Sequence, residues 1–231
     1  MHDLHTAFID EEFYAEAISG TKMDKLLANG WRHFGKHFFR YNLGAYDFEV
    51  RPVIPLRIRL ANFSPSKSQR RVLRKNSDLR TVIRPIEITD ETEALFERHK
   101  LRFRTGTPDS IYDFVSPEPE KKPCEALEIC VYENENLLAV SFLDNAETAS
   151  SGIYAIFDPE ASSRSLGIFT MLKEIEFSIE SGKLFYYQGY CYEGESFYDY
   201  KKRFRAVEQY DWNGNWEVSP VRTASGGDRI L

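Results

Sequence analysis

ALEICVYENENLLAVSFLDNAETASSGIYAIFDPEASSRSLGIFTMLKEIEFSIESGKLFYYQGY, residues 126–190, is the stretch on which the fold turns. Within it Ala126–Glu133, Leu137–Leu143 and Gly152–Phe157 read as successive β-strands, with Asn134-Glu135-Asn136 as a hairpin signal between the first two. Ser162–Ser181 places Leu166, Phe169, Leu172, Ile175 and Ile179 at helical spacing, which predicts a helix with one apolar face. Leu184–Tyr190 is strand again.

Outward to the N-terminal side, Ser116–Pro123 holds three prolines and four charges and reads as a loop or linker. Asp90–Phe103 predicts a helix and Arg80–Pro85 a strand. Ser64-Pro65-Ser66 opens a helix through Asn76, with Ser64 as the cap and Pro65 in the first turn. Spacings of three and four put Lys67, Arg70, Arg71 and Arg74 on one side of it, with Lys75 beside them. Val53–Ala61 alternates, Ile54, Leu56, Ile58 and Leu60 against Arg57 and Arg59, so it predicts a strand with a basic face. Trp31–Gly35 and His37–Tyr41 are short aromatic strands after a helix over Thr21–Asn29 that stops at Gly30. Towards the C-terminus, Glu195–Arg205 is a short helix or turn and Tyr210–Val218 a late strand. The segment after Pro220 is expected to be disordered.

The chain is 42% hydrophobic and 29% charged, the balance of a folded chain and not of a disordered one. Its apolar runs fall far short of the roughly 20 residues a membrane span needs, and the start carries no secretory pattern. Cys124, Cys130 and Cys191 are odd in number and form no CxxC pair, so neither a disulfide framework nor a zinc site is implied, and a cytoplasmic location is expected. His33 and His37 span a strand turn rather than a helical turn, so no metal set is expected there. The net charge of −6 argues against nucleic acid, but Arg51–Arg84 holds ten basic residues and one acid, Asp78. A positive stripe in an acidic chain is a candidate phosphate-backbone footprint, its plainer alternative being a solvated basic helix face.

Three strands, a helix, a strand, a helix and a strand is the order of an acetyltransferase-like (GNAT) core. The expected class is α/β (α+β), a mixed, mostly antiparallel sheet flanked by helices. The expected organisation is an N-terminal lobe with the basic helix over 1–85, the transferase core over 86–219 and the tail over 220–231. Four blocks make the resemblance specific. They are Asn29-Gly30-Trp31-Arg32-His33-Phe34-Gly35 with Phe38-Phe39-Arg40; Phe63-Ser64-Pro65-Ser66-Lys67-Ser68-Gln69-Arg70-Arg71 with Arg74-Lys75-Asn76 and Asp78-Leu79; Phe157-Asp158-Pro159 with Ser165-Leu166-Gly167; and Gly189-Tyr190 with Tyr200-Lys201, Phe204 and Glu208. In order and spacing, from about residue 8 to residue 216, these resemble the arginyl-tRNA–protein transferase family and its bacterial leucyltransferase branch.

That resemblance implies an enzyme moving an amino acid, arginine favoured over leucine, from charged tRNA to the N-terminal α-amine of an acceptor protein or peptide, as in N-degron marking. Two other readings are an acetyl-CoA-dependent acetyltransferase and a silent tRNA-binding protein. The family's N-terminal cysteine cluster is missing, Tyr41–Val50 replaces its second cysteine set, and Ala206 stands where its motif has proline. No cofactor is therefore expected, and an iron–sulfur cluster least of all.

The reaction needs no ATP and no covalent nucleophile, because the donor ester is already activated and an α-amine has a pKa of roughly 7.7–8.0. Arg164-Ser165-Leu166-Gly167 at a helix N-terminus is a candidate phosphate cradle, or an ordinary cap. Phe169 there is bulky enough to favour a tRNA terminus over CoA. Lys67, Gln69, Arg70, Arg71, Arg74 and Lys75 are the expected tRNA contacts. From the family motif, Tyr190 is a proton relay or adenine platform, Lys201 polarises the ester carbonyl or binds a phosphate, and Glu208 holds Lys201. Asp158 with Tyr187 is the expected pocket for a cationic donor side chain, against the alternatives of a turn residue and core packing.

Overall fold

The computed structural model describes residues 7–103 and 106–219, so the expected tail of 220–231 lies outside the described residues. Twelve strands and four α-helices follow one another. They are β1 (Asp10–Tyr14), α1 (Gly20–Ala28), β2 (Arg32–Phe34), β3 (His37–Tyr41), β4 (Leu43–Tyr46), β5 (Glu49–Arg59), α2 (Lys67–Lys75), β6 (Arg80–Pro85) and α3 (Asp90–Lys100), then β7 (Ala126–Glu133), β8 (Asn136–Asn145), β9 (Ala149–Phe157), α4 (Leu166–Glu180), β10 (Phe185–Tyr192), β11 (Val207–Tyr210) and β12 (Trp216–Val218). A small sheet runs β1-β3-β2. The large sheet runs β12-β11-β5-β10-β9-β8-β7-β6, with β4 hung on β5. Among the described residues only β9 and β10 pair in parallel, and every other pairing is antiparallel. This is the mixed, mostly antiparallel GNAT-like arrangement.

Alternation along β8 shows how the sheet is covered on both faces. Ala139 and Leu143 pack under α2 and α4 with Leu166, Phe169, Leu172 and Ile175. Val140 and Phe142, pointing the other way, pack with Leu95 and Phe96 of α3. A third group joins α1 (Met23, Leu27) and Phe38 to Ala146, Ala149 and Tyr187 at one end of the sheet. From the stretch 1–85, β5 lies between β10 and β11, and β6 closes the edge beside β7.

Four local expectations differ. The cap of α2 is Ser66, not Ser64, and Ser66 forms a reciprocal capping box with Gln69, because those two sit three residues apart across the first turn. The helix expected over Ser162–Ser181 splits into a 3-10 segment, Pro159–Arg164, and α4, separated by Ser165 in a left-handed conformation. Ile179, expected on the apolar face, is exposed in the last turn of α4. Tyr210–Val218 is a hairpin of β11 and β12 turned at 211–215, where Asp211 accepts from the Asn213 and Asn215 amides.

Candidate active site

β9 and β10 pair only through Ala149–Ser151 against Phe185–Tyr187, and beyond that they part. On its other side β10 stays paired to β5, with a bulge between Tyr187 and Gly189. Beyond Tyr187 the β9-facing edge of β10 therefore has no strand partner among the described residues, and the fork between the two strands is the candidate cleft. Gly189 adopts φ 85, a region that favours glycine.

Two cations are pressed onto this bulge. A Cβ on Gly189 would lie 3.3 Å from Lys201 Nζ and 3.6 Å from Arg32 Nε and Nη2. Lys201 stands on a 3-10 segment, Phe197–Arg203, and donates to the Tyr190 carbonyl at 3.0 Å, while its own carbonyl accepts from Gln188 at 3.2 Å. Burial first, and the Arg32 charge second, bring the Lys201 ammonium down to about 7. Arg32 reaches the cleft from β2, in the block Gly30-Trp31-Arg32, and donates to Ser151 Oγ and the Gly152 carbonyl where β9 leaves β10. Among the described residues no ion pair engages it. Arg32 was present in the first motif block, but no chemistry in the sequence singled it out.

Beneath the cleft, Glu174 of α4 is fully enclosed and accepts the Tyr186 hydroxyl. Burial raises its carboxyl to about 7. A Cβ on Gly152 would meet the Tyr186 hydroxyl at 2.8 Å and Glu174 Oε2 at 3.0 Å, so only glycine fits over this pair.

The remaining sequence-derived candidates fall in different places. Tyr190 flanks the cleft, but its hydroxyl donates to the Gly30 carbonyl at 2.6 Å and burial pushes it up, so it anchors the Gly30 turn. Glu208 does not reach Lys201. It accepts Arg57 and Arg59 at 2.7 Å each, which also closes the basic face expected on β5, because Arg57 is buried between Phe185 and Trp216. Tyr187 joins that core cluster, accepting from Arg57 at 3.4 Å. Asp158 pairs with Arg98 at 3.2 Å and caps the following turn through the Glu160 amide. It lies seven residues along β9 from Ser151, the partner of Tyr187, roughly 20 Å away by strand rise, so the two share no pocket.

On the outer surface, Lys67, Arg70, Arg71, Arg74 and Lys75 are all exposed, and among the described residues none pairs with a carboxylate. Gln69 is buried in the capping box instead. The end of α2 lies against the start of α4, where Lys75 donates to the Ser163 carbonyl and Asn76 to that of Arg164 at 2.9 Å. Ser165 (φ 55) opens α4 without a side-chain cap, which leaves the first amides of the helix without a side-chain partner beside the basic face. Arg164 is not free to join it, held by Asp78 at 2.9 Å and Glu133 at 2.5 Å. Gly167 packs on the Phe157 ring, a Cβ there coming within 3.2 Å of it. Phe169 points into the core and is 2% exposed, so its bulk does not guard the helix N-terminus. The three cysteines are buried in three separate packing groups, which does not fit the set of four thiolates that an iron–sulfur cluster takes.

A parallel pair of strands splayed at a glycine bulge, with a buried amine at the fork and a helix N-terminus nearby, defines an acyltransferase of GNAT-like architecture. Residues 5–71 and 91–211 match the family descriptions Arginine-tRNA-protein transferase, N terminus and C terminus. An aspartate/glutamate leucyltransferase of Xanthomonas euvesicatoria pv. vesicatoria (strain 85-10) is 34% identical over 176 residues, 71% of this chain and 70% of that protein. One from Saccharophagus degradans is 30% identical over 221 residues, 93% of this chain and 89% of that protein. Among solved structures, the C-terminal domain assigned to a lysylphosphatidylglycerol synthetase from Agrobacterium fabrum superposes with a TM-score of 0.50 at 16% identity, over 79% of this chain and 54% of that one, which speaks to the fold alone. The chain belongs to the arginine-tRNA-protein transferase family and is an aminoacyltransferase.

Proposed function

We propose that this enzyme transfers leucine from leucyl-tRNA to the α-amine of proteins that begin with Asp or Glu, a mark that destabilises them. The observation that carries the reading is the Arg32 guanidinium, set against Gly189 in the cleft beside the Lys201 amine. With no carboxylate paired to Arg32 among the described residues, the cleft favours an acidic acceptor side chain next to the reacting amine. Asp158, the expected partner of a cationic donor side chain, has its carboxylate engaged by Arg98. The leucyltransferase names of the relatives point the same way.

In the proposed reaction the acceptor's neutral α-nitrogen attacks the ester carbonyl carbon. The carbon–oxygen bond to the tRNA ribose breaks, and an amide and a free ribose hydroxyl form. Lys201, neutral in a substantial fraction at pH 7, takes the proton shed by the amine and returns it to the departing ribose oxygen. Backbone amides on the open edge of β10 stabilise the tetrahedral oxyanion. The exposed cations of α2 hold the tRNA by its phosphates, without reading bases.

The test is transfer of radiolabel from leucyl-tRNA or arginyl-tRNA to peptides that begin with Asp, Glu, Arg or Lys. Label from leucyl-tRNA on the Asp and Glu peptides alone is the expected result. Label from arginyl-tRNA, or on Arg and Lys peptides, would overturn the donor or the acceptor assignment respectively.

A further inference from the structure

We propose that His33, Cys124 and Asp144 form a binding site for a zinc-like divalent metal ion that clamps the small N-terminal sheet to the large one. The three come from separate parts of the fold: His33 from β2, Asp144 from β8, and Cys124 from the segment leading into β7. The three residues are 3%, 3% and 1% exposed in the order His33, Cys124, Asp144, and their candidate donor atoms all lie within 4.8 Å of one another. His33 Nε2 is 3.0 Å from both carboxylate oxygens of Asp144, and Cys124 Sγ is 3.3 Å from Oδ1.

The hydrogen-bond geometry around His33 carries the inference. Its Nδ1 is 2.8 Å from the Gly35 carbonyl, which can only accept, so Nδ1 bears the hydrogen. A neutral imidazole then turns its Nε2 lone pair onto two carboxylate oxygens, which repel it. Either a second proton or a metal cation at that point satisfies all the groups. An Nδ1–H donated to a backbone carbonyl is the outer contact that orients histidines ligating through Nε2. The buried thiol aimed at the same carboxylate supplies a third donor, and histidine, cysteine and aspartate together suit zinc.

Tetrahedral zinc at about 2.0 Å from N and O and about 2.3 Å from S sets its N···O edge near 3.3 Å and its S···O and S···N edges near 3.5 Å. The two edges to Asp144, 3.0 and 3.3 Å, need a few tenths of an ångström of expansion, and the edge from His33 Nε2 to Cys124 Sγ must close to near 3.5 Å from within 4.8 Å. Binding replaces the thiol proton and, where His33 is doubly protonated, the Nε2 proton as well. Thiolate, carboxylate and Zn2+ then leave the site neutral. His33 directly follows Arg32, so a metal here would also fix the strand that delivers Arg32 to the cleft.

The test needs no tRNA and is independent of the transfer reading. Chelator-stripped wild-type chain is titrated with Zn2+ and with Co2+, followed by metal analysis after gel filtration, by the cobalt absorption spectrum and by thermal melting. The expected result is one metal per chain, a thiolate-to-cobalt charge-transfer band, and a raised Tm with Zn2+. Cys124→Ala is expected to lose the band and to weaken binding by more than about 100-fold, while Cys191→Ala retains both. A wild-type chain that takes up no stoichiometric metal, or a cobalt band that survives Cys124→Ala, overturns the proposal and leaves a protonated His33–Asp144 ion pair. If Cys124→Ala does not fold, the wild-type spectrum decides, because the other two thiols lie in different packing groups.

Discussion

Replacing Glu208 by alanine separates a structural from a catalytic role for the last motif residue. The Glu208 side chain is 5% exposed and accepts Arg57 and Arg59 at 2.7 Å each. Arg57 is 9% exposed and stacked 3.8 Å from Phe185 and 4.3 Å from Trp216, so the variant strands a guanidinium with nowhere to move. Removing one partner of a buried pair costs about 3–5 kcal/mol. For a chain of this size each kcal/mol lowers Tm by about 2–4 °C, so a loss of roughly 6–20 °C is expected. Arg59→Ala should cost only about 0–1 kcal/mol, because that side chain is 45% exposed. Thermal melts of the two variants, paired with single-turnover transfer well below each Tm, make the comparison. A Glu208→Ala protein that melts within about 2 °C of wild type yet transfers nothing would refute the reasoning and put Glu208 in service of Lys201.

Other outcomes follow from the same geometry. If Lys201 and the acceptor amine must both be neutral, log kcat/KM against pH should approach a slope of 2 below about 7, and Lys201→Ala should reduce it to 1. An unchanged profile would remove Lys201 from proton transfer. The triple variant Arg70→Ala, Arg71→Ala, Arg74→Ala should melt like wild type and lower the salt slope of tRNA binding by roughly 2–3, whereas Arg164→Ala, its charge already engaged, should leave that slope alone. Gly189→Ala forces a side chain into φ 85 and against Lys201 Nζ; about 1–2 kcal/mol of stability and a far larger share of activity should be lost, as paired melts and kinetics would show. Glu174 is raised to about 7 in the fold, so the stability it confers is complete below its unfolded pKa and is lost as pH rises through about 7. Urea titrations should show wild type losing of order 3 kcal/mol over that window, and Glu174→Gln should flatten the loss.

The sequence by itself determined what is periodic or local. The strand-forming runs along residues 126–157, with the hairpin signal at Asn134-Glu135-Asn136, set the strands, and the spacing of Leu166, Phe169, Leu172 and Ile175 set α4 by presenting one apolar face for burial. The charged side of α2 was equally legible, since solvated cations at helical spacing stay exposed whatever packs behind them. Which polar groups meet was not legible, because pairing follows distance in space. Arg32 finds Ser151 across 119 residues, Arg57 takes Glu208 across 151, and His33 faces Asp144 across 111. Only the tertiary structure decides those partners. Splaying β9 from β10 opens the cleft, and burial excludes water around whichever ionisable groups the strands bring together, which is why Lys201 and Glu174 both titrate near neutrality there.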